Sequence, residues 1–306
     1  MKNLKEMFLN TQGLDSFQRI GSDHPLPIYI GMDNTAQYSL FCVTPTAPKA
    51  IKSSAIISIF VGMRKDGCIG ITFSLTDRTL LDLFVHFCDD IIESSRSIKD
   101  IAKAADFIAN RYAQWQKAFA KNNNGLLSYQ EVKGLVGELC FLRNYMIPTY
   151  GEDKALGSWI GPDMADQDFV CGDTWFEVKS TVSGSPTVRI SSIEQLDTDT
   201  TGHLIVVRLD KTSPGDSSKI TINNMFTMIL ESLSSAQLKD QLKTTLLRLG
   251  YYSDALYDSY CFHYSGMEKY KVDSSFPCAR KNNFAPAVQN MKYDLSLAAI
   301  AQYKEE

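Results

Sequence analysis

Glu177 and Lys179 stand two residues apart inside the apolar run Trp175-Phe176-Glu177-Val178-Lys179. Alternate residues of a strand share a face, so the acid and the lysine point together while Phe176 and Val178 enter the opposite layer. Such a pair at a strand end can hold a divalent ion and a water at once. The same acid-x-Lys spelling recurs at Glu131/Lys133 and Glu152/Lys154, so spacing alone decides little, but only the Glu177/Lys179 pair lies in an apolar strand pattern. Asp168 comes just before Phe169-Val170, and Cys171-Gly172-Asp173 has the chemistry of a hairpin turn that returns the chain antiparallel. Asp168 and Glu177 can then converge on one ion, as hard carboxylate oxygens do for Mg²⁺ or Mn²⁺. A third acid, Glu138, is flanked at helical spacing by Leu135, Phe141 and Leu142, with Gly134 and Gly137 leaving room for another backbone.

The elements that must carry these side chains are a helix over 129–146, strands near 168–170, 174–179 and 187–190, a short helix after Ser191 or Ser192, and an apolar strand over 203–209. Helix followed by clustered strands predicts an α/β (α+β) layer with a mixed sheet. Helices are expected within 225–249, and the tyrosine-rich remainder should return strands and a last helix over 295–303. Upstream, short apolar runs (28–30, 38–43, 55–61 and 68–73) punctuated by Gly31, the Thr44–Lys49 stretch and Lys65-Asp66-Gly67 predict a smaller β-rich unit. Two helical patterns follow it, one after Asp77 and one over 98–119. Lys121-Asn122-Asn123-Asn124-Gly125 favours turn backbone and supplies nothing to a core, so the domains are expected to be 1–124 and 125–306.

Composition sets the outer limits. The chain has 306 residues, 44% hydrophobic and 22% charged, a balance that excludes disorder as the dominant state. The 31 Lys and Arg against 35 Asp and Glu give a net charge of −4, which excludes a protein that coats nucleic acid by charge alone. Seven scattered cysteines without a CxxC pair, and four histidines, offer no zinc spacing and suit reduced thiols in a cytosol. Residues 1–13 lack a signal-peptide core, and no apolar run reaches the length of a membrane span, so a cytoplasmic protein with no membrane partner is expected.

Five segments together carry a resemblance: Gly134-Leu135-Val136-Gly137-Glu138-Leu139, Trp159-Ile160-Gly161-Pro162, Asp168-Phe169, Glu177-Val178-Lys179-Ser180-Thr181 and Ile190-Ser191-Ser192-Ile193-Glu194-Gln195-Leu196. They closely resemble the core of a bacterial PD-(D/E)XK family associated with restriction and phage-defence genes, over about residues 129–209. Leu249-Gly250-Tyr251, Tyr270-Lys271-Val272 and Phe276-Pro277 look similar to that family's C-terminal part. The resemblance implies a restriction-endonuclease-like core in which Glu138, Asp168, Glu177 and Lys179 are the metal and catalytic residues, with Gln195 beyond them. Pro162-Asp163 spells the literal Pro-Asp of the motif name; Asp168 is preferred because Phe169-Val170 places it on a strand.

Each of these residues also has a plainer reading. Glu177 and Lys179 could form a surface ion pair on an edge strand, Glu138 could lie on a solvated helix face, and His203 is better explained as structural. Ser192-x-x-Gln195 and Ser191-x-x-Glu194 are capping-box spellings, so a capping role for Gln195 is as well founded as a catalytic one. Beyond Tyr251, tyrosines interleave with Lys269, Lys271, Arg280 and Lys281, the composition of a nucleic-acid groove or equally of a packed, solvated sheet. The function expected is Mg²⁺-dependent (or Mn²⁺-dependent) cleavage of DNA. The candidate partners are DNA, other defence-system proteins and a second copy of the chain. The alternative is a nuclease-like fold that binds DNA or assembles a complex without cutting.

Overall fold

The structure, a computed structural model, describes residues 4–121, 126–161, 166–285, 287–288 and 291–305. It divides into two compact units, residues 1–126 with 247–252 and residues 127–246 with 253–306. The linker expected at 121–125 lies, apart from Lys121, outside the described residues. Among the described residues no helix is long and apolar enough to cross a membrane.

The first unit opens with a short helix α1 (Leu4–Leu9) and strands β1 (Ser16–Arg19), β2 (Ile28–Met32), β3 (Tyr38–Thr44), β4 (Ile57–Met63) and β5 (Ile69–Leu75). All neighbours pair antiparallel in the order β1-β2-β3-β5-β4. Period-2 alternation sends Ile28, Ile30, Leu40, Cys42, Ile71 and Phe73 inward. Helices α2 (Leu81–Ser95) and α3 (Ala104–Lys121) cover that face, and the Phe73 ring lies 5.4 Å from Phe87 and 5.3 Å from Tyr112. The carboxylate of Asp77 accepts the Thr79 N–H and starts the 3₁₀ turn that leads into α2. α3 starts later than its sequence pattern, because Asp100 caps a separate 3₁₀ turn over Ile101–Lys103. α1 and β1 were not expected: the stretch up to Gly13 is too short and too mixed for periodicity, although Phe8 is fully buried.

The second unit begins with α4 (Tyr129–Phe141), started by a full capping box: Ser128 Oγ accepts the Glu131 N–H, and Glu131 accepts the Ser128 N–H at 2.8 Å. A π-helical turn over Leu142–Met146 leads to α5 (Ile147–Tyr150) and α6 (Glu152–Gly157). Then come β6 (Phe169–Cys171), β7 (Thr174–Thr181), β8 (Thr187–Ile190), β9 (Gly202–Lys211), α7 (Ile222–Ser232), α8 (Ala236–Arg248), β10 (Phe262–Val272), β11 (Tyr293–Ser296) and β12 (Lys304–Glu305). The main sheet is mixed, in the order β12-β10-β9-β7-β6, with β7 and β9 parallel and the other pairs antiparallel. α4 packs on one face, where the Phe141 ring meets Phe169 at 5.3 Å and Phe176 at 5.2 Å. On the other face Leu204, Val206, Tyr270 and Val272 form a core with Val188, Ile190, Leu295 and Ile300. Burying each such side chain stabilises the fold by about 1.5–3 kcal/mol.

Three local expectations are corrected. β8 leaves the main sheet and pairs with β11 as a separate two-stranded ribbon, because its inward residues Val188 and Ile190 face that second core. After Ser192 the chain makes a single turn, with the Leu196 and Asp197 N–H groups both donating to the Ile193 carbonyl, and no helix forms. The helix expected over 295–303 is a strand end, turns and a 3₁₀ turn at Ala301–Tyr303. Its alanines favour a helix, but pairing of Leu295 with Val188 and burial of Leu297 and Ile300 override that weak preference.

Candidate active site

The β6–β7 hairpin brings the two acids together. Cys171 pairs with Thr174, Val170 with Trp175 and Phe169 with Phe176, so Asp168 comes opposite Glu177. Gly172 makes the turn with φ +63°, a conformation that glycine adopts without a Cβ penalty. The segment 158–161 then holds Asp168 by its backbone: Ile160 and Gly161 N–H both donate to the Asp168 carbonyl, at 2.9 and 3.0 Å, and Val170 N–H donates to Ser158 O at 2.8 Å. The Pro162-Asp163 pair lies outside the described residues.

On β7, Trp175, Glu177 and Lys179 share one face, and Phe176, Val178 and Ser180 face α4. Glu177 is 1% exposed, and its Oε1 meets the Lys179 ammonium at 2.5 Å. Its other oxygen, Oε2, is buried and among the described residues has no hydrogen-bond partner. Burial pushes the Glu177 carboxyl well above the usual carboxylate range, the Asp168 charge pushes it further, and Lys179 offsets this only in part. Asp168 is half-buried as a residue, but its carboxyl is enclosed, and that desolvation raises its pKa against the pull of Lys179 and of the Val178 N–H, which donates to Oδ2 at 2.8 Å. Among the described residues Asp168 Oδ1 has no hydrogen-bond partner.

Glu138 lies on α4, in the layer on the opposite side of β7. It is half-buried, its Oε2 accepts the Trp159 indole N–H at 2.8 Å, and its charge is the smallest of the influences that raise Glu177. Close approach of α4 to β7 depends on Gly137, where a Cβ would overlap Ser180 Oγ. Trp159 has a role that its place in the sequence motif does not state. Its ring stacks on Phe169 at 5.6 Å, which aims the indole N–H at Glu138; a lone tryptophan beside a turn glycine was the available signal.

The remaining site candidates sit elsewhere. Gln195 Oε1 accepts the Ser191 N–H at 2.8 Å, and the turn that carries it is tied toward Asp168 by Gln167, whose amide donates to Glu194 O at 3.0 Å. Lys269 pairs with Glu305 at 3.2 Å, Lys271 with Asp273 at 3.5 Å, Arg280 with Asp197 at 3.3 Å and Lys281 with Glu194 at 3.6 Å. His203 stacks on Phe176 and pairs with Glu305, and burial lowers its pKa.

Two carboxyls whose pKa values burial raises, Glu177 further raised by the Asp168 charge and left with an orphaned oxygen among the described residues, make a donor set that fits a hard divalent cation. Among the described residues no group of three His, Cys, Asp or Glu side chains forms a ready-made metal cage. Mixed sheet, leading helix and the Asp168, Glu177, Lys179 constellation define a restriction-endonuclease-like α+β protein. A family model described as "Putative PD-(D/E)XK family member, (DUF4420)" matches residues 6–298, and the chain belongs to this family. No curated protein and no solved structure matches the chain significantly.

Proposed function

We propose that the chain is a Mg²⁺-dependent DNA endonuclease (Mn²⁺ serving as well) that works in the cytoplasm within a bacterial restriction or phage-defence system. The observation that carries this reading is the buried Asp168/Glu177 pair beside Lys179, with Glu177 Oε2 left without a partner among the described residues. In phosphodiester hydrolysis the oxygen of a water attacks phosphorus in line with the departing sugar oxygen, whose bond to phosphorus breaks. Asp168 and Glu177 would hold the cation, with Glu138 supporting from α4. When bound, the ion would supply Lewis acidity and neutralise charge growing on the phosphate. Lys179 would orient the attacking water through its ammonium hydrogens and add positive charge beside the scissile phosphate. All seven cysteines are unpaired, as suits a reducing compartment.

A specific observation supports a second reading, a nuclease-like module that binds or assembles without cutting. The second unit carries 16 Lys and Arg against 23 Asp and Glu, and Lys269, Lys271, Arg280 and Lys281 are each paired with an acid. An acidic unit repels DNA until cations or partner proteins neutralise it.

Plasmid DNA incubated with the protein in Mg²⁺, Mn²⁺ or EDTA separates the two. Divalent-dependent nicking or linearisation is expected, with Lys179→Ala losing nearly all cleavage and keeping most of the DNA affinity, since affinity rests on phosphate contacts spread over other cations. DNA binding without cleavage in either metal, with candidate defence partners added, would favour the module.

A further inference from the structure

The helices of the first unit cover one face of its sheet; the other face is open and carries a cleft of about 680 Å³. Strand register builds its floor. Arg19, Tyr29, Phe41, Thr72 and Phe60 form one row across all five strands, and Phe17, Gly31, Ser39, Ser74 and Ser58 form the next. The Phe41 ring lies 5.7 Å from Phe17 and 5.8 Å from Tyr29, and Phe60 is 71% exposed. Gly62 and Gly70 oppose each other in the β4–β5 pairing. A Cβ on Gly62 would come within 2.8 Å of the Phe60 ring, and one on Gly70 within 2.6 Å of the Phe41 ring. The two rings therefore lie over bare backbone, with small hydroxyl side chains between them.

The rim is built with equal care. Asp33 Oδ1 accepts from Thr35 N, Thr35 Oγ1 and Gln37 N, and Oδ2 accepts from Ser39 Oγ at 3.2 Å. Among the described residues, Asp15 (φ 54°) and Ala36 (φ 63°) are the two non-glycine residues with positive φ; Asp15 lines the cleft, and Ala36 lies between the lining residues Thr35 and Gln37. Holding a residue there costs on the order of 1–3 kcal/mol, and such strain concentrates at binding sites. Ala36 is fixed by Arg78, which donates to its carbonyl at 2.7 Å. The Gln37 side chain accepts from Ser58 Oγ through Oε1, and among the described residues its NH₂ has no partner.

One exposed ring, Phe60, and the half-buried Phe17 and Phe41 rings around a floor and rim of donors and acceptors suit a planar heteroaromatic ring, which stacks on its faces and hydrogen-bonds at its edge. The lining itself carries the Asp15 and Asp33 carboxylates and, among the described residues, no cation, so a phosphate chain would have to run along the edge of the cleft, away from these acids. Arg64 lies over Phe41 while paired with Asp66 at 3.1 Å, and Arg19 shares the Phe17 face, so two cations, one of them already paired, stand beside the aromatic rows where a sugar–phosphate chain would run. The first unit as a whole carries 15 Lys and Arg against 12 Asp and Glu, opposite in sign to the second. Paired bases hide their faces in the stack; unpaired ones present them. We infer that the open sheet face of the first unit binds an unpaired base of single-stranded or locally opened DNA, stacked against Phe41 and Phe60 over Thr72 and Ser74. The site acts independently of cleavage at Asp168 and Glu177.

The test uses the full chain in EDTA, so that no metal chemistry enters, with a 15-nucleotide single strand and the matching duplex as probes. Phe60→Trp should keep wild-type affinity, and its emission should be quenched by the single strand. Phe60→Ala, at a site too exposed to disturb the core, should weaken single-strand binding roughly ten-fold, as the loss of one stacked base requires, while duplex affinity and melting temperature stay unchanged. Equal single-strand affinity in wild type and Phe60→Ala, or Phe60→Trp emission unmoved by saturating single strand, would overturn the inference. So would a Phe60→Ala variant whose only change is in self-association by sedimentation, which would make the face a protein-docking surface. Failure of plasmid cleavage would leave these results untouched, so the two proposals fail separately.

Discussion

Replacing Gly137 with alanine tests whether close approach of α4 to β7 builds the site. The added methyl would overlap Ser180 Oγ, with Ser180 Cβ 3.3 Å and Val207 Cβ 3.7 Å away, so a single atom causes the clash. Overpacking of this kind costs about 1–3 kcal/mol, while alanine in a helix interior recovers about 1 kcal/mol relative to glycine. Ser180→Ala deletes the offending atom and also removes a buried hydroxyl that among the described residues has no hydrogen-bond partner, so alone it should be neutral or stabilising by up to about 1 kcal/mol. The double variant should then be at least as stable as wild type, with a coupling of about 2 kcal/mol between the two substitutions. Urea unfolding followed by tryptophan fluorescence in a Trp115→Phe background reads this out, because the remaining tryptophans, Trp159 and Trp175, both belong to the second unit. Gly137→Ala should lower the midpoint in the Ser180 background only. A coupling below about 0.5 kcal/mol would show that the helix is not held by this contact.

Two further outcomes follow from the site. Burial raises the folded-state pKa of both Glu177 and Asp168, and the Asp168 charge raises Glu177 further, so the folded state binds more protons than the unfolded one above the ordinary carboxylate range, and stability should fall as pH rises through that window. Added Mn²⁺ should reverse the loss, raising Tm more at pH 8 than at pH 5.5, and Glu177→Gln should melt higher than wild type in EDTA while losing the Mn²⁺ response; a wild-type Tm that rises with pH in EDTA would contradict the pKa directions. Gln195→Ala removes only the acceptor for the Ser191 N–H, so melting should show a loss of about 1 kcal/mol with cleavage largely retained; a hundred-fold loss of cleavage would restore the catalytic role that the family resemblance implies.

Where local chemistry decided the structure, the sequence was readable. Gly172 in a short loop between two apolar runs set the β6–β7 register, and that register alone puts Asp168 opposite Glu177. Alternation placed Glu177 and Lys179 on one face of β7. What was not readable depended on distant partners. The spelling of β8 is an ordinary strand, and nothing local says that it pairs with a segment about a hundred residues later. The alanines near Ile300 carry helix propensity that only the second core overrides. The Ser191–Leu196 stretch spells a capping box, yet its glutamine oxygen turns back on Ser191 with no helix to cap. The Lys269 ion pair arises from the β12 pairing, which sets Glu305 opposite it, and the Lys271 pair from Asp273 two residues on, so their basic spelling overstated the free charge on that surface.

The shared cation is the centre of the functional reading, and calorimetric titration with Mn²⁺ in a chelator-free buffer at pH 7.5 tests it most directly. Wild type should show a binding site that both Asp168→Asn and Glu177→Gln abolish with the fold intact by circular dichroism, and that Asp163→Asn retains. Loss of the ion in Asp163→Asn with undiminished binding in Asp168→Asn would contradict the assignment of Asp168 as the first acid of the site.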